Sequence, residues 1–210
     1  MLRDKPEDAE VLAYCEALRA DLGKQAALGM PLRTHVDVTQ LRSADKRWNW
    51  VRRGAPLILE IGPRDAAGGQ VTFMRRDALR NGEKIASEAM ARDAFVSAAP
   101  GLLVEIQQAL FVEAKQRLDE SITSNVTDFE ALKAYFAGAE EDEDKGGAFK
   151  GWVRVPWSRP TGDALEAVAN RLKALKLTIR NAPLAQPKAF GKCIFTGAPG
   201  VEEILVARAY

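Results

Sequence analysis

Cysteine and histidine are scarce in this chain of 210 residues: only Cys15, Cys193 and His35 are present. Neither cysteine belongs to a Cys-x-x-Cys pair, so a disulfide scaffold and a zinc site built from such pairs are both excluded. No metal is expected. His35 falls in a candidate strand and reads as structural rather than catalytic. Long apolar runs are also missing; none approaches the roughly 20 residues of a membrane-spanning helix. The N-terminus, MLRDKPEDAE, is charged from its third residue and lacks the apolar centre of a secretory signal. A cytoplasmic location and no membrane partner follow as expectations. Gly68 and Gly69 lack the Lys-Ser/Thr of a phosphate loop and suit a turn. No nucleophile, base and metal cluster can be assembled from the motifs, which argues against a self-sufficient enzyme.

What is present describes a globular chain, 47% hydrophobic and 28% charged. Its length accommodates two compact units. The net charge of +1 conceals a split. Arg42 to Arg92 holds eleven lysines and arginines against six carboxylates, whereas Asp119 to Lys145 holds two against nine. One surface should therefore attract an anion.

Asp4 with Glu7 resembles a helix start, and Val11, Leu12, Cys15, Leu18 and Leu22 follow at helical spacing. Strands are expected over Leu32–Val38, Pro56–Ile61 and Gln70–Arg75, the last two joined as a hairpin through Gly68 and Gly69. Helical periodicity returns from Leu102 to Leu118 and again from Asp128 to Phe136. The acidic, glycine-bearing stretch Gly138 to Gly147 reads as a boundary or solvated loop. Beyond it come a strand in AFKGWVRVPW, a helix in DALEAVANRLKAL, and strands in KLTIRN, KCIFTG and EILVARA. The expected division is 1–97, connecting helices over 98–137, and a small α+β unit over 138–210. No internal repeat is visible.

The stretch from Lys46 to Asp77 interleaves Lys46, Arg47, Arg52, Arg53, Arg64, Arg75 and Arg76 with Trp48 and Trp50. Cations neutralise phosphates, aromatic rings stack on unpaired bases, and a carboxylate such as Asp65 can accept from the donor edge of guanine. The same residues also fit a core of tryptophans under a solvated arginine face, and composition alone favours that plainer reading.

GAPLILEIGPRD followed by QVTFMRRD resembles the anticodon-binding domain of prolyl-tRNA synthetases, and IRNAPL, GKCIFTG and EILVARAY resemble that family's C-terminal domain, so the likeness runs through the whole chain. The resemblance implies a three-layer α/β anticodon-binding domain on a mixed sheet, its first strand missing ahead of Met1, followed by a small α+β domain. It implies that Arg64 and Asp65 read the guanines of the proline anticodon, with Lys46 and Lys84 beside them. RNA contacts are accordingly expected from Lys46, Arg47, Trp50, Arg52, Arg53, Arg64, Asp65, Arg75, Arg76 and Lys84. It further implies tRNA(Pro) and the enzyme's catalytic domain as partners, a homodimeric whole enzyme, and Tyr210 as an inter-domain contact. ATP and magnesium would belong to that catalytic domain, whose motifs these residues lack. Relatives with zinc use four cysteines, of which Cys193 remains and Thr196 replaces its neighbour. Arg47, Val51 and Ile58 depart from the family pattern. Val51 and Ile58 are the main support of the alternative, a free-standing paralogue acting as a protein-interaction or regulatory module.

Overall fold

The computed structural model describes residues 6–82, 84–137 and 150–208. Asp4, the stretch Gly138–Gly147, Tyr210 and the segment ahead of Met1 lie outside them. The chain divides into two compact units, one up to Ala114 and one from Lys115 onward.

The first unit opens with α1 (Pro6–Leu22), which buries Leu18 and Leu22 as its spacing predicts. A small hairpin follows, β1 (Ala26–Ala27) and β2 (Met30–Pro31), turned through Leu28 and Gly29, both at positive φ. Next come α2 (Ser43–Arg52), β3 (Leu57–Glu60), α3 (Pro63–Gly68) and β4 (Gln70–Arg75). A second small hairpin pairs β5 (Arg80–Asn81) with β6 (Lys84–Ile85), and β7 (Glu88–Ala91) leads into α4 (Arg92–Glu120). β4 is the centre of a three-stranded sheet ordered β3-β4-β7. Its period-2 pattern turns Val71 and Phe73 into the core with Leu18 and Leu22 of α1 and Phe95, Val96 and Ala99 of α4.

Two expectations for this unit are corrected. The sheet is antiparallel, not mixed. Leu32–Val38 alternates like a strand but pairs with none among the described residues; Leu32 packs on the core while Arg33, Thr34 and His35 are exposed. The expected hairpin of β3 and β4 is present, and its connection is the helical turn α3, with Pro63 at its first position and Gly69 closing it in the left-handed region at φ 61°.

α4 exceeds its expected length; by length and composition alone it is apolar enough to cross a membrane, a test that a core helix also passes. Its apolar character serves the core in the first half, where Phe95, Val96, Ala99 and Ile106 are buried.

The second unit contains β8 (Ile122–Thr123), α5 (Phe129–Phe136), β9 (Trp152–Trp157), α6 (Gly162–Ala174), β10 (Leu177–Asn181) and β11 (Glu202–Arg208). Its sheet runs β10-β11-β9-β8, with β8 parallel to β9 and the other pairs antiparallel. Val153, Val155 and Trp157 alternate inward along β9 and meet Val168 and Leu172 of α6 and Ile204 and Val206 of β11. Asp128 caps α5 by accepting from the Ala131 amide at 2.8 Å. α5, expected as part of a connector, places Leu132 and Phe136 in this second core. KCIFTG is not a strand: the Gly197 amide donates to the Cys193 carbonyl at 2.8 Å and folds it into a turn, leaving only an isolated bridge between Lys192 and Pro199.

Candidate nucleic-acid interface

α2 has neither glycine nor proline in SADKRWNWVR and ends at Gly54, whose φ of 89° suits a residue without a side chain. Its 3.6-residue period distributes the charged and aromatic residues over distinct faces. Arg47 faces β3, where its Nε donates to Glu60 Oε1 at 2.9 Å and its Nη2 lies 2.8 Å from the same oxygen. Lys46 and Trp50 face the 32–40 segment. Lys46 Nζ donates to the Asp37 carbonyl at 2.8 Å, and Trp50 Nε1 donates to Asp37 Oδ2, also at 2.8 Å. His35 stacks on Trp50 with ring centroids 4.9 Å apart, and Arg53 Cζ stands 5.0 Å from the Trp50 ring centroid. Trp48 turns elsewhere and meets Arg80 of β5, whose Cζ is 5.3 Å from the indole centroid.

Asp37 is the pin of this arrangement. Burial by itself would raise its carboxyl, but hydrogen bonds from the Thr39 hydroxyl, the Trp50 indole and the Thr39 amide, with the charge of Lys46, hold it far below its ordinary value of 3.8. A depressed folded-state value means that the contact stabilises the fold fully above pH 3.8 and is lost as pH falls below it. Asp37→Asn is expected to cost about 2 kcal/mol at neutral pH, the size of a charge-assisted hydrogen bond, with the deficit shrinking below about pH 4. Urea unfolding of both proteins at neutral and acid pH checks this; a pH-independent deficit would show that the charge is immaterial.

Arg64 and Asp65 occupy the first turn of α3. Asp65 is half-buried and held at both oxygens: Oδ2 accepts from the Gly62 amide at 2.8 Å and Oδ1 from the Thr72 hydroxyl at 3.0 Å. Its remaining lone pairs are available to a ligand, since an ionised carboxylate accepts up to about four bonds. Arg64 is exposed and has no side-chain partner among the described residues, as is also true of Arg52, Arg76 and Lys84. Arg75 is different. It grips both oxygens of Asp77 and donates to Glu105 at 2.9 Å, and these hydrogen bonds push its pKa up and keep it charged.

Residues 2–100 match the anticodon binding domain family. The chain is 48% identical over 211 aligned residues to a proline–tRNA ligase of Sphingomonas elodea, covering 100% of this chain and 40% of that protein. It is 38% identical to the proline–tRNA ligase of Bdellovibrio bacteriovorus, covering 99% of this chain and 38% of the relative. A third, from Protochlamydia amoebophila, is 35% identical over 98% of this chain. The chain belongs to the anticodon-binding region of the proline–tRNA ligase family. It spans about two fifths of the length of these relatives.

The zinc that proline–tRNA ligases of the cysteine-bearing type would suggest does not fit the residues present. Burial would raise the Cys193 thiol, but hydrogen bonds from Ser158, Thr196 and the Phe195 and Thr196 amides bring it below its ordinary 9.0. The Ser158 and Thr196 hydroxyls are themselves 2.9 Å apart. One thiol among two hydroxyls is not a zinc donor set, and among the described residues no group of three His, Cys, Asp or Glu could hold a metal ion.

Within this proline–tRNA ligase region, the expected RNA contacts separate into paired and unpaired cations. Lys46, Arg47 and Arg75 are tied to Asp37, Glu60, and Asp77 with Glu105. Arg80 and His35 join the neighbourhood of α2, although the sequence alone does not single them out as contacts. Trp48 and Arg80 are 32 positions apart along the chain (80 − 48) and are joined only by folding.

Proposed function

We propose that this chain supplies recognition of the tRNA(Pro) anticodon within a proline–tRNA ligase, the whole enzyme activating proline with ATP and esterifying it to tRNA. The observation that carries the reading is the Arg64–Asp65 pair: an exposed, unpaired guanidinium beside a carboxylate whose position is held by Gly62 and Thr72. A held carboxylate can accept from guanine N1 and N2, while Arg64 reaches base acceptors or phosphate. On this reading the partners are tRNA(Pro) and the catalytic domain of the same enzyme, which is a cytoplasmic homodimer, and Tyr210 contacts that domain. The chain itself carries recognition, with neither a resident metal nor adenylate chemistry.

Arg64→Ala tests it cleanly because the exposed side chain has no hydrogen-bond or ion-pair partner among the described residues. Affinity for tRNA(Pro) is expected to fall about tenfold, the worth of one good base contact, with the melting temperature unchanged. The loss should be smaller for a transcript whose anticodon guanines are replaced. An equal loss for both transcripts would assign Arg64 to phosphate attraction and remove base reading from the proposal.

A further inference from the structure

Two faces of α2 are consumed within the fold, Arg47 against Glu60 on β3 and Lys46 with Trp50 against Asp37. A third carries Trp48 and Arg52, which at i and i+4 lie on one side of the helix. Trp48 is half-buried and Arg52 is exposed. Arg80, exposed on the β5–β6 hairpin, stacks its guanidinium toward the indole at 5.3 Å. Neither Arg52 nor Arg80 meets a carboxylate among the described residues, in contrast to Arg47, Arg75 and Arg92. This face therefore combines a π surface with two cations that nothing in the described fold neutralises.

We infer that Trp48, Arg52 and Arg80 form a stacking contact for one unpaired nucleotide of the bound RNA, in addition to Arg64 and Asp65; the inference rests on the tRNA-binding reading above. An unstacked base can lie against an indole or against a guanidinium plane, and the flanking phosphate is attracted by the second cation. Because every base presents a π face, this contact supplies affinity without choosing the anticodon sequence. It thus complements a base-reading pair that chooses but offers little surface. The face is built from one helix and one short hairpin of the same unit.

The test uses the 210-residue chain and an anticodon stem–loop of tRNA(Pro) in which 2-aminopurine replaces each unpaired loop base in turn. Wild type is expected to quench the fluorophore at one position. Trp48→Leu should abolish that quench and weaken binding about tenfold for cognate and anticodon-swapped stem–loops alike, as losing one base–aromatic stack would. Trp48→Phe should restore most of both. Arg80→Gln should weaken binding and lower the slope of log affinity against log salt by about one. If Trp48→Leu lowers the melting temperature but binds the stem–loop like wild type while still folded, Trp48 merely holds the β5–β6 hairpin and the inference is overturned. Loss of binding in Arg64→Ala with no loss in Trp48→Leu or Arg80→Gln sinks the inference and leaves the anticodon-reading proposal standing. Failure of wild type to bind the stem–loop removes both.

Discussion

Gly151→Ala is expected to destabilise the second unit by about 4 kcal/mol, adding the strain of a left-handed backbone to the cost of forcing an atom into a filled space. Gly151 sits at φ 85°, and a Cβ placed there would stand 2.1 Å from the Ser121 carbonyl oxygen. That oxygen cannot move freely, since it accepts from the Trp152 amide at 2.8 Å. The same bond begins the parallel register Ile122 to Trp152 and Thr123 to Val153. Relieving the clash therefore means detaching β8 from β9. Hydrogen exchange at the Trp152 and Val153 amides is the direct measurement, with thermal unfolding beside it. Protection equal to wild type would mean that the backbone finds another path at little cost.

Phe73→Ala should be comparably severe in the first unit, about 4 kcal/mol, because a large buried aromatic leaves both a lost transfer energy and a cavity. Phe73 is 1% exposed at the centre of β4, and its ring lies 5.1 Å from that of Phe95, itself 1% exposed. Val71, Leu18 and Leu22 complete the wall. α1, β4 and α4 thus depend on one side chain, and their amides should lose protection together. Phe73→Leu, which retains most of the apolar volume, is expected to recover more than half of the loss in a urea titration. A cost below about 1 kcal/mol for the alanine variant would show that the surrounding elements collapse into the space.

Elements whose evidence is local were readable from the residues themselves. β9 alternates Val153, Val155 and Trp157 against Trp152, Arg154 and Pro156, and it is a half-buried strand. α5 follows a capping aspartate at Asp128. α6 repeats its apolar positions at helical spacing and buries Val168 and Leu172. The Arg64–Asp65 pair was visible for the same reason: the motif, its proline and its glycines occupy a few consecutive positions and form a single turn. Leu32–Val38 misled because alternation is compatible with a strand but not sufficient for one; pairing with another strand is also required, and among the described residues this segment makes none. KCIFTG misled because its apolar residues, Cys193 and Phe195, are buried from a turn just as they would be from a strand.

The sequence by itself determined that this is an anticodon-binding region with a second α+β unit, since periodicity and a continuous run of motifs are properties of neighbouring residues. Only the tertiary structure decided which cations remain available to RNA. Lys46 and Arg47 look no different from Arg52 and Arg64 in the sequence, yet the fold sets the first pair against Asp37 and Glu60 and leaves the second pair in solvent. A charge is attracted by whatever lies within a few ångströms of it, and that neighbourhood is assembled from residues distant along the chain.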